Sequence, residues 1–88
     1  MRAVWKYPFP IADEFTTTMP ANARILHVDE QHGSGTMWAL CRPEVAKVKR
    51  RFRIYGTGHP IPDDPLEYVG TFIAADGYLV WHLFEVVP

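Results

Sequence analysis

Cysteine is nearly absent from this sequence of 88 residues, because Cys41 stands alone. A single cysteine cannot form an intrachain disulfide, and this usage fits a reducing compartment. Cys41 closes the apolar run of residues 37–41. A buried, inert thiol is expected there, because free cysteine is among the most buried residue types.

Long apolar stretches and a strong net charge are also missing. No run approaches the roughly 18 residues that a membrane helix needs. The opening residues 1–6 lack the extended apolar segment of a signal peptide. The formal net charge of −1 gives no global indication of a nucleic-acid or anionic-membrane partner. We therefore expect a protein that has no membrane association.

Recognisable catalytic and metal-binding patterns are lacking as well. The four histidines show neither H-x₃-H nor H-E-x-x-H spacing: His27, His32, His59 and His82. The acidic pairs at 13–14 and 29–30 are adjacent, so in strands their side chains point to opposite faces. These observations predict a non-enzymatic protein without catalytic residues, metal or cofactor.

The residues that are abundant favour strands. Three Trp, four Tyr and five Phe suit a pleated, half-buried surface, and eight Pro and six Gly separate short elements. The sequence predicts one all-β domain over residues 1–88, a small sandwich or barrel of about seven short antiparallel strands. The predicted strands are 3–7, 15–19, 24–29, 36–42, 48–55, 66–74 and 78–86.

Two predictions concern the connections and the last strand. Asp76-Gly77 is a strong signal for a tight hairpin turn, and residues 43–46 suit a single helical turn. The last strand is apolar on both faces, so it lies centrally or under an oligomer interface. We expect a homo-oligomer, most simply a two-fold dimer. The two apolar sets are Leu79, Trp81 and Leu83, and Val80, Phe84 and Val86.

The fifth predicted strand is strongly basic, with five cations among residues 47–53. Strand alternation places Lys47, Lys49, Arg51 and Arg53 on one face, continued by Tyr55, while Arg50 interrupts the apolar face. Cations about 6.8 Å apart repel one another, so a phosphate or carboxylate ligand would stabilise the row. Two alternatives stay open. The strand is solvated and blocks edge aggregation, or acids such as Glu67 and Glu85 neutralise it.

The loop of residues 56–65 is long for a small domain, and long loops are often functional. Thr57, His59 and the amides of Gly56 and Gly58 could form a small anion nest. The alternative is a structural crossover in which the aspartates of 63–64 make turn hydrogen bonds. The predicted ligand-binding residues are Lys47, Lys49, Arg51, Arg53, Tyr55, Thr57 and His59.

Several segments resemble a family of small uncharacterised proteins encoded by bacteriophages and prophages. They are V-W-K-Y at 4–7, M-P-A-N-A-R-I-L at 19–26, R-F-R-I-Y-G-T-G-H-P-I at 51–61, Y-V-G-T-F at 68–72 and V-W-H-L-F-E at 80–85. The resemblance implies a phage accessory protein in the bacterial host cytoplasm. Small proteins of that kind often counter host defence, some by sequestering nucleotide immune signals as homo-oligomers and others by blocking host proteins.

Three functional hypotheses follow. The first is a homo-oligomeric binding protein that sequesters a phosphorylated small molecule, such as a nucleotide immune signal of the host, with Trp or Tyr stacking on the base. The alternative is a protein-binding inhibitor of a host defence or regulatory protein, which uses an exposed aromatic surface or a strand edge. A small hydrolase using His59 is the weakest, because no nucleophile, base or metal set accompanies it.

Overall fold

A computed structural model describes residues 1–74 and 77–88. These residues form seven strands and no helix, which confirms the predicted all-β class; none of them forms a helix long and apolar enough to cross a membrane. The turn predicted at Asp76-Gly77 lies partly outside the described residues. The strands are β1 Ala3–Phe9, β2 Glu14–Pro20, β3 Arg24–Gln31, β4 Ser34–Cys41, β5 Lys47–Gly56, β6 Leu66–Ile73 and β7 Val80–Val86.

The strands form two antiparallel sheets that pack as a sandwich. One sheet has the order β1-β4-β3 and the other the order β2-β5-β7-β6. Strand β3 packs along β6, and β1 approaches β2. The sheets do not join into a continuous ladder, so the sandwich alternative is confirmed over the barrel.

The core between the sheets is rich in phenylalanine. Phe15 stacks on Phe9 with ring centroids 4.5 Å apart, and on Phe52 at 5.2 Å. Phe72 meets the Phe9 ring edge-on at 5.9 Å. Cys41 lies in this core with 3% of its surface exposed, which confirms the buried thiol.

Two connections fix how the strands follow one another. The predicted hairpin of β3 and β4 is confirmed, and its turn residues His32 and Gly33 have φ of 53° and 81°. Positive φ at both central residues suits the twist of a tight hairpin. The predicted helical turn over 43–46 is wrong, because one bond from Val45 N to Arg42 O (3.0 Å) closes a turn and no helix follows.

Strand β7 lies between β5 and β6, so it occupies a central position in the larger sheet. Leu83 on its inner face is fully buried in the core, and Phe84 lies on the opposite face. This central position accounts for a strand with two apolar faces. The apolar pattern of β7 is thus explained without an oligomer interface. The predicted homo-oligomer stays a prediction.

Candidate anion-binding face

The solvent-facing side of the β2-β5-β7-β6 sheet, here called the outer face, carries the basic residues of β5. Phe52 and Ile54 point into the core with at most 5% of their surface exposed, so the alternate residues point outward. The outward cations, Lys47, Lys49, Arg51 and Arg53, form the cationic row. Tyr55 continues it and lies opposite His82 of β7.

Acidic side chains neutralise one half of the cationic row. Arg51 Nε donates to Glu14 Oε1 at 2.9 Å, and its Nη2 contacts the same oxygen. Arg53 Nη1 donates to Asp64 Oδ2 at 2.9 Å. This hydrogen bond raises the pKa of Arg53, which therefore keeps its charge. Asp64 is thus the ion-pair partner of Arg53.

The other half of the row is open. Lys47 and Lys49 are exposed, and neither ammonium group makes a hydrogen bond or ion pair with a residue in 1–74 or 77–88. The alternative that acids of the same molecule neutralise the row holds for its two arginines, but their partners are Glu14 and Asp64 rather than the candidates Glu67 and Glu85. Two exposed lysines, whose Cα atoms lie about 6.8 Å apart along the strand, remain available to an anion.

Arg50, on the inner face of β5, is the partner of Glu85. Its Nε donates to Glu85 Oε2 at 2.6 Å, its Nη2 to Oε1 at 2.7 Å, and its Nη1 to the carbonyl of Ala23 at 2.6 Å. The hydrogen bond to Glu85 raises the pKa of Arg50. The pair borders a cavity of about 370 Å³ between β3 and β6. Because its charges satisfy each other, the pair stabilises the fold and leaves little charge for a ligand.

Three aromatic rings from neighbouring strands lie together on the outer face. Phe84 of β7 lies between Tyr55 of β5, with centroids 5.9 Å apart, and Tyr68 of β6, at 5.7 Å. Both contacts are edge-to-face, at 71° and 66°. Tyr68 is 59% exposed, so its ring is accessible to a ligand. We call these three residues the aromatic shelf.

A chain of polar side chains lies beside the aromatic shelf. The Tyr68 hydroxyl lies 2.7 Å from Thr71 Oγ1, which lies 2.9 Å from His82 Nδ1. On the other side of the ring, His82 Nε2 lies 2.8 Å from Thr57 Oγ1. Both ring nitrogens of His82 are therefore engaged, and the imidazole is held in one orientation. The chain supplies hydroxyl groups to the outer face.

The loop after β5 divides the remaining predicted residues. The Thr57 side chain lies on the outer face, where it meets His82. The His59 ring lies against Gly56 on the inner side of the sheet. Trp81, which pairs with Gly56, points to the same side. The chain turns at Thr57-Gly58, where Gly58 has a φ of 87°, and this reversal carries His59 away from the cationic row.

The amides near His59 are occupied by the backbone. Thr57 N donates to Val80 O at 3.3 Å, and His59 N donates to Gly56 O at 3.1 Å. His59 borders a separate cavity of about 240 Å³ with Leu79 and Val80. The predicted anion nest at the amides of Gly56 and Gly58 stays a prediction. Within the described ranges, no three His, Cys, Asp or Glu side chains form a metal-binding cluster.

The structure adds side chains to the face that sequence reasoning did not select. Strand alternation in β7 puts His82 and Phe84 on one face, so their shared orientation could be predicted from the sequence. The order of the strands, which brings β7 beside β5 and β6 beside β7, could not be predicted. The added residues are Tyr68, Thr71, His82 and Phe84.

Comparison with known proteins places the chain in a family without supplying an activity. A family model described as a domain of unknown function, DUF7352, matches residues 1–88. The chain belongs to this family. No curated protein and no solved structure matches it. The function is therefore argued from the outer face, and the resemblance to phage proteins stays a prediction.

Proposed function

We propose that this chain is a non-enzymatic binding protein that holds a phosphorylated ligand with an aromatic base, such as a nucleotide, on the outer face. One observation carries the proposal: the aromatic shelf and the cationic row are continuous along β5. Tyr55 and Arg53 are neighbours on the same face, about 6.8 Å apart. A base and its phosphate can therefore reach both surfaces at once.

The aromatic shelf offers the surface on which the base stacks. Tyr68 presents an exposed ring, and Phe84 supports it and Tyr55 edge-on. Stacking of a base on an aromatic side chain contributes about 1–3 kcal/mol and tolerates different bases. The hydroxyls of Thr57 and Tyr68 border the shelf and suit the polar edge of a base or a sugar.

The cationic row binds the phosphates. The pairs of Arg51 with Glu14 and of Arg53 with Asp64 involve exposed carboxylates, and exposed pairs contribute only about 0–1 kcal/mol. A phosphate can therefore compete for either guanidinium, which grips it with two parallel hydrogen bonds. Lys49 has no acid to displace, so it adds attraction at no such cost.

The biological role that we propose comes from the sequence resemblance. It is sequestration of a nucleotide immune signal by a phage accessory protein in the cytoplasm of the bacterial host. The proposed role includes self-association, which stays a prediction. A second copy would cover the apolar outer residues Val80 and Val86 of β7 and enclose the ligand.

Calorimetric titration with ATP and a panel of cyclic dinucleotides tests the proposal. We expect at least one of them to bind with a Kd below about 100 µM. Separate Lys49→Ser, Arg51→Ser and Arg53→Ser changes should each weaken it about tenfold or more. Tyr68→Leu should also weaken it, because the stacking ring is lost.

Lys6→Ser is the matched control, since Lys6 is an exposed cation on the other sheet, hydrogen-bonded to Gln31. It should leave the Kd unchanged. The proposal fails if no nucleotide of the panel binds, or if the β5 variants bind as well as the control. Recovery of an altered nucleotide after heat release would overturn the non-enzymatic assignment.

A further inference from the structure

Three of the six arginines gather at one end of the β1-β4-β3 sheet without an acidic partner. The arginines of β5 each pair with a carboxylate. The other three are exposed, and they make no hydrogen bond or ion pair with a residue in 1–74 or 77–88. All three border one cavity of about 170 Å³. We call this cavity with its three arginines, Arg2, Arg24 and Arg42, the arginine pocket.

Two turns build the walls of the arginine pocket. One leads from β2 to β3, where Asn22 has a φ of 67°, a left-handed conformation that asparagine tolerates better than most residues. The other follows β4, where Val45 N donates to Arg42 O. A hydrogen bond of 2.9 Å from Ala21 N to Ala46 O joins the two turns. The walls are therefore fixed before a ligand binds.

The strands bring the arginines to these walls. Arg24 begins β3 and pairs with Leu40 of β4. Arg2 directly precedes β1 and Arg42 directly follows β4, at the ends of two strands that pair antiparallel. Apart from Arg2, the lining comes from residues 21–45. The arginine pocket is therefore built mainly by the interior of the sequence.

Among the described residues, no acid forms an ion pair with the arginine pocket. Glu44 is the nearest acid along the chain, and its Oε1 accepts from the amino group of Met1 at 3.2 Å. The charge of Arg42 acts on Glu44 only at longer range. Glu67 borders a neighbouring cavity together with Arg24, and these two described residues form no ion pair. Three positive charges around one small cavity repel one another, and an anion placed between them would remove that repulsion.

Part of the lining is apolar, and the cavity is small. Leu40 and Val45 are half-buried and border the cavity with Ala21. A water molecule takes up about 30 Å³ of the liquid, so the cavity has the volume of about six water molecules. That space admits a phosphate group with part of its organic substituent, and it is too small for a whole nucleotide.

We propose that the arginine pocket binds the phosphate group of a small phosphate monoester whose organic part is aliphatic. Such a phosphate has three strong acceptor oxygens, so each of three guanidinium groups can donate to it. A carboxylate has two oxygens and one charge, so it would leave one arginine without a partner. The aliphatic part of the ligand packs against Leu40 and Val45.

This inference is independent of the proposed nucleotide function. The arginine pocket lies on the β1-β4-β3 sheet, whereas the aromatic shelf and the cationic row lie on the other sheet. An aliphatic phosphate has no base to stack on the aromatic shelf. Tyr68→Leu should therefore weaken nucleotide binding and leave binding of the aliphatic phosphate unchanged, whereas Arg42→Gln should do the reverse.

Titration with n-butyl phosphate, followed by NMR of the backbone amides and the arginine Nε–H groups, tests the site. We expect saturable shifts with a Kd below about 1 mM, confined to residues 21–24 and 40–45 and to the three arginines. Arg24→Gln and Arg42→Gln should each weaken binding about fivefold or more, because a charge-assisted hydrogen bond is lost. Arg42→Lys should also weaken it, because an ammonium group lacks the planar fork of arginine.

Two further probes test the class of ligand. Inorganic phosphate lacks the aliphatic part, and pentanoate lacks the third oxygen and the second charge. Each should bind about fivefold or more weakly than n-butyl phosphate. Val45→Ser should weaken binding of n-butyl phosphate and leave that of inorganic phosphate unchanged, because it removes only apolar contact.

Lys6→Gln is the matched control, since Lys6 is an exposed cation of the same sheet that is hydrogen-bonded to Gln31. It should leave the Kd unchanged. The arginine variants should keep the native thermal midpoint, because no described side chain loses a partner. The proposal is refuted by absence of saturable binding at about 10 mM, by equal binding of pentanoate, or by shifts at Lys6 and Lys49 as large as those at the three arginines. Nucleotide binding by the same sample would stand whatever the result.

Discussion

Breaking the pair of Arg50 and Glu85 should remove a large part of the stability of this domain. A small domain has a free energy of unfolding of about 5–10 kcal/mol. The side chains of Arg50 and Glu85 are only 20% and 19% exposed, and two bonds of 2.6 and 2.7 Å join them. A third bond, from Arg50 to Ala23 O, ties β5 to the segment that leads into β3.

The size of the effect follows from what each substitution leaves behind. Removing one member of a fully buried pair costs about 3–5 kcal/mol, because an uncompensated charge remains. One fifth of each side chain stays in water here, so we expect a loss of about 2–3 kcal/mol for Glu85→Leu or Arg50→Met alone. The double variant removes both charges of the pair and leaves only the Ala23 carbonyl and the weak acceptor Met19 Sδ without their donor, so it should lose about 1 kcal/mol.

Urea denaturation followed by tryptophan fluorescence measures these differences, and the two single variants with the double variant form a cycle. Arg51→Met is the matched control. Its pair with Glu14 is exposed by 55% and 41%, so the loss should stay within about 0.5 kcal/mol. The reasoning is refuted if the double variant loses as much as the sum of the single ones, or if the control loses as much as Arg50→Met.

Three further substitutions or reactions test the packing of the core. Gly35→Ala should lower the free energy of unfolding by about 1–3 kcal/mol in thermal denaturation, because its Cβ would lie 2.2 Å from the Phe9 ring; an unchanged midpoint would contradict this. Tyr7→Phe should leave stability unchanged or raise it by up to about 1 kcal/mol, since the buried Tyr7 hydroxyl has no hydrogen-bond partner among the described residues. Burial also raises the pKa of Tyr7, so absorbance titration should show one late-ionising tyrosine that the variant lacks. Cys41 should resist a thiol reagent in the native state and react once on unfolding, whereas fast native reaction would contradict its burial.

Much of the local structure could be predicted from the residues. The alternation of β5 correctly separated Phe52 and Ile54, which are buried, from Lys49, which is exposed. Proline and glycine marked most of the intervals between strands, although Pro8 and Pro20 lie within β1 and β2. Every observed bound lies within two residues of the predicted one. The one helical turn that was expected, over 43–46, is a plain turn.

The partners of the charged side chains could not be predicted. Glu85 was one candidate for neutralising the cationic row, but it lies on the inner face and pairs with Arg50. Glu14 and Asp64 hold the row's arginines, since β2 lies beside β5 and the loop before β6 passes near Arg53. No local pattern contains that information, because these contacts join residues 11, 35 and 37 positions apart along the chain.

The sequence by itself determined which face of its strand each side chain occupies, because side-chain alternation is a property of local backbone geometry. Only the tertiary structure decided which strands lie side by side. Packing of the two inner faces places β7 between β5 and β6, so that Phe84 meets Tyr55 and Tyr68 on the outer face. The same placement ends the pairing of β5 with β7 at Phe52 and Glu85. These features depend on how far neighbouring strands overlap, and core packing sets that overlap over long distances in the chain.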